Sequence, residues 1–311
     1  MEERICYFNG GYIPESDARV HISDFGLWEG AIYEVGRTYD RKPFKLKEHI
    51  DRFFYAIRCL PFINFNLSPQ EVTDITLEVL QINDKCLDQG DDWRFIYKLT
   101  RGIQFAESTG PTFYIHLVPM GSPFGAGYQQ IVKWYQEGAH LVVVNTRQIP
   151  PQCLDPKIKH TNRLCNRLAE YEAKMVDPNA FALMLDTNGF AAESPISNFF
   201  IIKDGKLLTS RLVNCLSGIT RKTVLELAEE LKIECAETDL CVPDVYNADE
   251  IIITGTSFAI IPVSKFNNIP LTTPIPGPFT RRLQIAFSEK VNFDIVQRAL
   301  DYVNSKGIIS Q

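Results

Sequence analysis

The stretch from residue 155 to residue 174, DPKIKHTNRLCNRLAEYEAK, constrains the fold more than any other part of the sequence. Lys159 precedes a turn, and apolar residues then recur at spacings of four, three and four. This periodicity predicts an amphipathic helix, for which Thr161 or Asn162 is a suitable N-cap. The predicted apolar face consists of Leu164, Leu168, Tyr171 and Met175. We therefore expect Lys159 at the boundary between two elements.

A carboxylate follows 34 residues after this lysine. Glu193 belongs to AESPISNFF, residues 192–200, and stands at the start of an apolar strand. A lysine at an element boundary and an acid in a strand-rich segment suit a Schiff-base enzyme. In such an enzyme the amine forms the covalent bond, and the acid keeps a proton on a cofactor ring nitrogen. Each residue also has an ordinary alternative, because most lysines are solvated surface charges and a strand-edge acid is often exposed.

Composition excludes several other classes of protein. The chain has 311 residues, of which 45% are hydrophobic and 23% charged, so it is long enough for two globular domains. A net charge of −6 provides no basic surface for nucleic acid. No apolar run approaches the roughly 18 residues of a membrane span, and MEERICYFNG lacks a signal-peptide core, so we expect a cytoplasmic location. The cysteines form no CxxC pair and the histidines no HExxH motif, so neither a disulfide framework nor a metal site is predicted.

Residues 1–118 are predicted to form a small N-terminal α/β domain. Turns at Asn9-Gly10 and across 40–42 predict two hairpins. A helix is predicted over 48–60, and the capping box that begins at Ser68 opens a second helix. Strands over 93–101 and 112–118 complete this α+β unit.

The rest of the chain is predicted to form a connection and a larger domain. Residues 119–134 begin with a glycine- and proline-rich run and are predicted to be an interdomain loop. Residues 135–311 are expected to form a mostly-β domain with flanking helices. Within that domain we expect hairpins, a helix near 219–232 and a closing helical region at 280–304.

Four motifs, in the same order and spacing, resemble the class IV aminotransferases. They are IKHTNRL, AESPISNFF, LSGITRKTVLELA at 216–228 and TGTSFAIIPV at 254–263. This family contains branched-chain and D-amino-acid aminotransferases, (R)-amine transaminases and aminodeoxychorismate lyase. The resemblance runs from about residue 5 to the C-terminus. It implies an α+β fold of the fold-type IV class and a bound pyridoxal 5'-phosphate (PLP). The implied activity moves an amino group between an amino acid, or a primary amine, and a 2-oxo acid.

The same resemblance assigns residues to the cofactor. Lys159 would form the Schiff base and move the proton, and Glu193 would pair with the ring nitrogen. The remaining implied contacts are Arg52, Asn198, Leu216, Gly218, Ile219, Thr220 and Thr256. A helix that begins near residue 219 would suit the phosphate, because its first amides and its dipole favour an anion.

Substrate recognition departs from the family patterns. The YIR motif of branched-chain enzymes would lie in the strand at 93–102, but Arg94 takes the place of its tyrosine and Ile96 that of its arginine. The RxH signature of the D-amino-acid enzymes is also missing after TRG. We expect Arg37 and Arg94 to form an alternative clamp for a carboxylate. The residues implied to bind the substrate are Trp28, Tyr33, Arg37, Arg94, Thr256 and Ser257.

Two alternatives to a transaminase remain open at this point. KHTNRL is close to the KHLNRL of the lyases, which favours an enzyme that releases pyruvate from aminodeoxychorismate. YEVGRTY at 33–39 instead resembles the aminotransferases, and we favour transamination. The other alternative is a PLP-binding homologue without turnover. Family members are dimers with residues of both subunits around each site, so a homodimer or higher homo-oligomer is expected.

Overall fold

The computed structural model describes residues 3–104, 110–122 and 127–307. The chain divides into two compact units. The first comprises Met1–Gly125 and Ile158–Asn162, and the second comprises Ala126–Lys157 and Arg163–Gln311. The short segment that contains Lys159 therefore belongs to the first unit, although the chain on either side of it belongs to the second.

The first unit is a six-stranded sheet with two helices. Its strands are β1 (Ile5–Phe8), β2 (Gly11–Pro14), β3 (Ile32–Tyr39), β4 (Lys42–Pro43), β5 (Trp93–Leu99) and β6 (Phe113–Pro119), and its helices are α1 (Leu46–Cys59) and α2 (Pro69–Ile82). The strand order is β2-β1-β6-β5-β3-β4, and neighbouring strands are antiparallel. Both predicted hairpins are confirmed by the pairing of β1 with β2 and of β3 with β4.

The helices cover one face of this sheet through an apolar core. Phe53 of α1 and Val72 of α2 pack with Phe95 and Tyr97 of β5. The predicted capping box is confirmed at the start of α2, where Ser68 and Glu71 exchange hydrogen bonds between side chain and backbone. Such a box satisfies amides that the first turn of a helix leaves open.

The second unit is built on a nine-stranded mixed sheet. Its strands are β7 (Ala139–Val143), β8 (Phe181–Leu185), β9 (Ala191–Glu193), β10 (Asn198–Lys203), β11 (Lys206–Ser210), β12 (Cys235–Thr238), β13 (Glu250–Gly255), β14 (Ala259–Phe266) and β15 (Ile269–Pro270). Its helices are α3 (Tyr128–Glu137), α4 (Leu164–Val176), α5 (Ile219–Glu230), α6 (Val242–Tyr246), α7 (Pro278–Val291) and α8 (Ile295–Ser305). The main order is β12-β11-β10-β13-β14-β7-β8-β9, with β15 paired to β14. Helix α4 packs on β7 and β8, while α5 and α7 pack on β13 and β14.

The predicted loop over 119–134 is wrong in its second part. Helix α3 starts at Tyr128, and it buries Ile131, Val132 and Tyr135. The glycines and prolines before residue 128 obscured a helical spacing that begins only after them. The proposed domains, 1–118 and 135–311, stay a prediction, although the compact units assign Ile158–Asn162 to the first unit.

The expected N-cap of α4 is also wrong. Neither Thr161 nor Asn162 is its N-cap, because the cap position is Arg163 and its side chain makes no capping hydrogen bond. The predicted apolar face of α4 is present, but it is exposed, with relative exposures between 52% and 75%. That face is Leu164, Leu168, Tyr171 and Met175. Ala169 and Ala173 are the buried residues instead, because small side chains let the helix approach the sheet closely.

Membrane-spanning helices and metal-binding clusters are both missing from the described residues. None of the helices found there has both the length and the apolar character to cross a bilayer. In the same ranges no group of three or more His, Cys, Asp or Glu side chains is arranged to hold a metal ion. All eight cysteines are free thiols.

Candidate active site

The segment around Lys159 is hydrogen-bonded to the start of β3. The Tyr33 amide donates to the Lys159 carbonyl at 3.0 Å, and the Thr161 amide donates to the Ala31 carbonyl at 2.8 Å. The Thr161 hydroxyl accepts from the Ala31 amide at 2.7 Å, which explains why this side chain does not cap α4. Backbone hydrogen bonds on both sides therefore fix the Cα position of Lys159 within the first unit.

The side chain of Lys159 lies against Tyr33. Its Nζ atom is 3.4 Å from the Tyr33 hydroxyl oxygen and 4.4 Å from the centre of the ring. The first distance is a weak hydrogen bond, and the second is within the range of a cation–π contact. The two predicted site residues are thus brought together.

Gly30 makes room for the residues that follow the lysine. Its φ angle is +78°, and a Cβ atom there would lie 2.1 Å from the Asn162 side-chain oxygen. A larger residue would be both strained and in collision with Asn162. The glycine is therefore required for the close approach of these two loops.

Arg52, on α1, forms a bidentate ion pair with Glu34 of β3. The Arg52 Nε atom donates to Glu34 Oε2 at 2.8 Å, and an Nη atom donates to Oε1 at 2.6 Å. Oε1 also accepts from His49 Nδ1 at 3.0 Å and from the Val35 amide at 2.9 Å. Burial raises the pKa of the Glu34 carboxyl, but the Arg52 charge and the hydrogen bonds from His49 and Arg52 outweigh it. The net result is a pKa well below the usual range, so Glu34 is ionised.

His49 completes this arrangement as a neutral donor. Burial lowers the pKa of its imidazole, and the hydrogen bond and charge of Glu34 oppose that effect only in part. Because the ionised carboxylate can only accept, the His49 Nδ1 atom must carry the hydrogen. His49 and Glu34 were not predicted as site residues, since nothing in the local sequence pairs a strand residue with a particular helix residue.

The two arginines of the predicted clamp are neighbours in the sheet. Arg37 and Arg94 are direct cross-strand partners, and both are buried. Arg37 lies 3.8 Å from an Asp92 oxygen and donates from Nε to the Thr38 carbonyl. Because side chains alternate along a strand, Tyr33 and Arg37 share the sheet face opposite to Glu34. Trp28 follows a short 3-10 turn and is 77% exposed, so it is not part of the core.

In the second unit Glu193 is held by three neutral N–H groups. It ends β9 and is 8% exposed. Gln148 Nε2 donates to one carboxylate oxygen at 2.9 Å. The Leu216 amide and the Asn198 side-chain amide donate to the other at 3.0 and 3.1 Å. The predicted residues Glu193, Asn198 and Leu216 therefore lie together, and Gln148 is a member that the sequence did not indicate.

The predicted phosphate-binding residues of this unit occupy two turns. Gly218 precedes α5, and the first turn of that helix has no side-chain cap. A Cβ atom on Gly218 would lie 2.0 Å from the Asn198 side-chain oxygen, so only glycine allows this loop to pack against Asn198. Ile219 and Thr220 are buried in the first turn of α5. Thr256 and Ser257 are half-buried in the turn between β13 and β14.

Three hydroxyl groups in this part of the second unit have unused hydrogen-bonding capacity. In the described part of the chain the hydroxyls of Ser194, Ser197 and Thr254 are buried and make no hydrogen bond. Ser194 follows Glu193 directly, and Thr254 pairs with Asn198 across β10 and β13. Buried polar atoms of this kind are costly unless a further group satisfies them.

Comparisons with known proteins identify the family of the chain. A family model described as amino-transferase class IV matches residues 31–266. A Methanocaldococcus jannaschii protein, whose name assigns it provisionally to the branched-chain-amino-acid aminotransferases, is 33% identical over 290 residues, or 91% of this chain and 95% of that protein. The D-alanine aminotransferase of Staphylococcus aureus is 29% identical over 288 residues, or 92% of this chain and 97% of its own length.

A solved structure gives the same result for the fold. The branched-chain amino acid aminotransferase of Escherichia coli superimposes with a TM-score of 0.83 at 26% identity, covering 93% of this chain and 94% of that one. The predicted α+β, fold-type IV architecture is thus confirmed. The relatives named here are aminotransferases, and the lyase alternative is not favoured. The chain belongs to the class IV aminotransferase family.

Proposed function

We propose that this chain is a PLP-dependent aminotransferase that transfers an amino group between an amino acid and a 2-oxo acid. The observation that carries the proposal is the environment of Glu193. Its buried carboxylate is held in one orientation by hydrogen bonds from N–H groups of Gln148, Asn198 and Leu216. An acid that pairs with a protonated ring nitrogen needs such a fixed orientation.

The residues present fit the cofactor. Lys159 would hold it covalently, Arg52 and the amides after Gly218 would hold its phosphate, and the Thr256 hydroxyl would add a donor. The close approach of the Gly218 loop to Asn198 and the unsatisfied hydroxyl of Thr254, the cross-strand partner of Asn198, support a polar ligand beside that loop. When bound, the cofactor supplies an electron sink for the substrate Cα.

The protein residues would then hold and move protons. Glu193 keeps the proton on the ring nitrogen, and Asn198 and Leu216 orient its carboxylate. Lys159 Nζ, released by the incoming amine, carries the proton to and from the substrate Cα. Tyr33, whose hydroxyl is 3.4 Å from that nitrogen, steers the lysine side chain.

Arg37 and Arg94 would bind a substrate carboxylate. The two residues are adjacent and buried, and each guanidinium fork suits a carboxylate, while Asp92, 3.8 Å from Arg37, already offsets part of the positive charge. Tyr33 and Trp28 would line the substrate pocket, and Thr256 with Ser257 would contact the same substrate. Arg94→Ala should raise the KM for amino acids more than that for (R)-1-phenylethylamine, and equal increases would remove the arginine pair from carboxylate binding.

We also propose a homodimer in the cytoplasm. The row formed by Leu164, Leu168, Tyr171 and Met175 on α4 is an exposed apolar stripe, which is typical of an interface. Leu168→Glu should yield monomers in analytical ultracentrifugation, whereas Leu77→Glu, at an exposed position of α2, should not. An unchanged mass for Leu168→Glu would exclude α4 as the dimer interface.

The proposed cytoplasmic location agrees with the cysteines, because free cysteines, some of them exposed, favour a reducing compartment.

A single-donor half-reaction experiment tests the activity. The PLP-loaded protein is mixed separately with L-branched-chain amino acids, D-alanine, D-glutamate and (R)-1-phenylethylamine, and the absorbance of the lysine-bound cofactor is followed. We expect at least one donor to convert the cofactor to its amine form, and the fastest donor identifies the substrate class. Conversion by none of them, in protein that does bind PLP, would contradict transamination of these donors.

A further inference from the structure

Glu34 is a buried acid that the proposed reaction does not use. It is fully buried on the helix-facing side of β3, and four hydrogen bonds occupy its two oxygens. Two of these bonds come from Arg52. We call Glu34, His49 and Arg52 the Glu34 cluster.

The cluster fixes a side chain that is otherwise flexible. A free arginine samples many rotamers, and a ligand that binds it must bear the cost of ordering it. The fork of two hydrogen bonds to Glu34 defines both the position and the plane of the Arg52 guanidinium. The Arg52 side chain is 10% exposed, so the guanidinium is held at the margin of the core and not deep inside it.

Glu34 is itself held in place from other directions. The Val35 amide and the neutral His49 imidazole both donate to Oε1, so the carboxylate cannot rotate towards another partner. Both donors belong to regular elements, β3 and α1. The orientation of Arg52 is thus determined by the sheet and the helix together.

We propose that Glu34 is a positioning residue that presents Arg52 to the phosphate of the cofactor. The inference rests on the proposed function, in which Arg52 binds that phosphate. Glu34 could also have the opposite effect on phosphate binding, since a carboxylate beside the Arg52 guanidinium offsets the positive charge and would weaken an anion site. Positioning and charge compensation predict effects of opposite sign when Glu34 loses its charge.

Glu34→Gln separates these two effects. Cofactor-free protein is titrated with PLP and, separately, with pyridoxal, which lacks the phosphate, and binding is followed by absorbance. We expect the Kd for PLP to rise about tenfold and that for pyridoxal to change by less than about twofold, because only PLP uses Arg52. Glu48→Gln, at a half-buried acid of α1 that pairs with Lys45, is the matched control and should leave both values unchanged.

A double variant tests whether Glu34 acts through Arg52. In an Arg52→Gln background, Glu34→Gln should add less than about a twofold change in the Kd for PLP. Glu34→Asp keeps the charge but shortens the reach, and it should fall between the wild type and Glu34→Gln. It also provides the test if Glu34→Gln does not fold, as judged by thermal unfolding of the cofactor-free proteins.

The outcomes distinguish this inference from the proposed function. If the wild type binds PLP but Glu34→Gln binds it equally well or more tightly, positioning is contradicted and the function stands. A loss of thermal stability with an unchanged ratio of PLP to pyridoxal affinity would make Glu34 merely structural. If the wild type binds neither compound, the proposed function itself fails.

Discussion

Glu34 in the first unit and Glu193 in the second are both buried acids, but they have different partners. Glu34 faces the positive charge of Arg52 at 2.6 and 2.8 Å. Glu193 instead receives hydrogen bonds from the neutral groups of Gln148, Asn198 and Leu216. The charge of Glu34 is paired with an arginine of the same unit, whereas these hydrogen bonds to Glu193 come from N–H dipoles.

This difference separates a positioning role from a binding role. Burying a carboxylate costs several kcal/mol unless charge or hydrogen bonds compensate it. Glu34 is paired with an internal arginine, and its two oxygens are occupied by the bonds from Arg52, His49 and the Val35 amide. The N–H groups of Gln148, Asn198 and Leu216 offset part of this cost for Glu193 and orient its carboxylate, which we propose pairs with the proton on a bound ring. Mutation of Glu193 should therefore mainly lower kcat, whereas mutation of Glu34 should mainly weaken PLP binding.

Glu193→Gln should give the largest effect. A glutamine cannot hold the ring proton, so we expect kcat to fall about 100- to 1000-fold, with little change in the Kd for PLP. Steady-state kinetics with the best donor and a PLP titration measure the two quantities. This pattern is the reverse of that expected for Glu34→Gln. A variant that loses PLP affinity but keeps kcat would remove the distinction between the two acids.

Gln148→Leu should give a smaller effect in the same direction. It removes one neutral donor from the Glu193 carboxylate, and hydrogen bonds to charged groups contribute about 1.5–3 kcal/mol. We expect kcat to fall about tenfold while the fold is kept. Gln297→Leu on the exposed surface of α8 is the control for the same substitution. Unchanged kcat in Gln148→Leu would show that the other donors orient Glu193 without it.

The smallest predicted effect concerns the stability of the first unit at acidic pH. Burial, Arg52 and Lys159 lower the pKa of His49 below its ordinary 6.5, and Glu34 opposes them. The unfolded chain therefore takes up a proton first as the pH falls below 6.5, and stability is lost there by at most about 1.4 kcal/mol per pH unit. The contribution of Glu34, whose folded pKa is lowered from 4.5, is lost only below that value.

Denaturant unfolding at pH 7.5 and 5.5 checks this dependence. His49→Asn keeps a donor near the Nδ1 position and cannot titrate, so its stability should change less between the two pH values than that of the wild type. His21→Asn, at an exposed position, should behave as the wild type does. An equal pH dependence in all three proteins would mean that His49 does not take part in it.

Local patterns predicted most of the elements but not all of their environments. The capping box at Ser68 and the turn at Asn9-Gly10 are complete within a few residues, so sequence was sufficient there. On α4 the apolar residues recur with helical spacing as predicted, but the face that packs on the sheet is the one with Ala169 and Ala173. Spacing alone cannot show which face of a helix is buried. Nor does hydrophobicity show that Thr161 bonds to Ala31, 130 residues away in the chain.

The same limit determines which site residues could be predicted from the sequence. Family motifs pointed to Lys159, Glu193 and Arg52, and those positions remain predictions until they are tested. Gln148 belongs to none of these motifs, and Glu34 lies in YEVGRTY without an assigned role, so the importance of both follows from partners 45 and 18 residues distant. Such pairings depend on the register of strands and helices, which is a property of the folded chain.

The most direct test of the proposed chemistry is to trap the cofactor on the protein. The PLP-loaded chain is reduced with borohydride, digested and examined by mass spectrometry, which locates the modified lysine. We expect stoichiometric modification of Lys159 and none in Lys159→Ala. Modification of a different lysine, or none in the wild type, would contradict it.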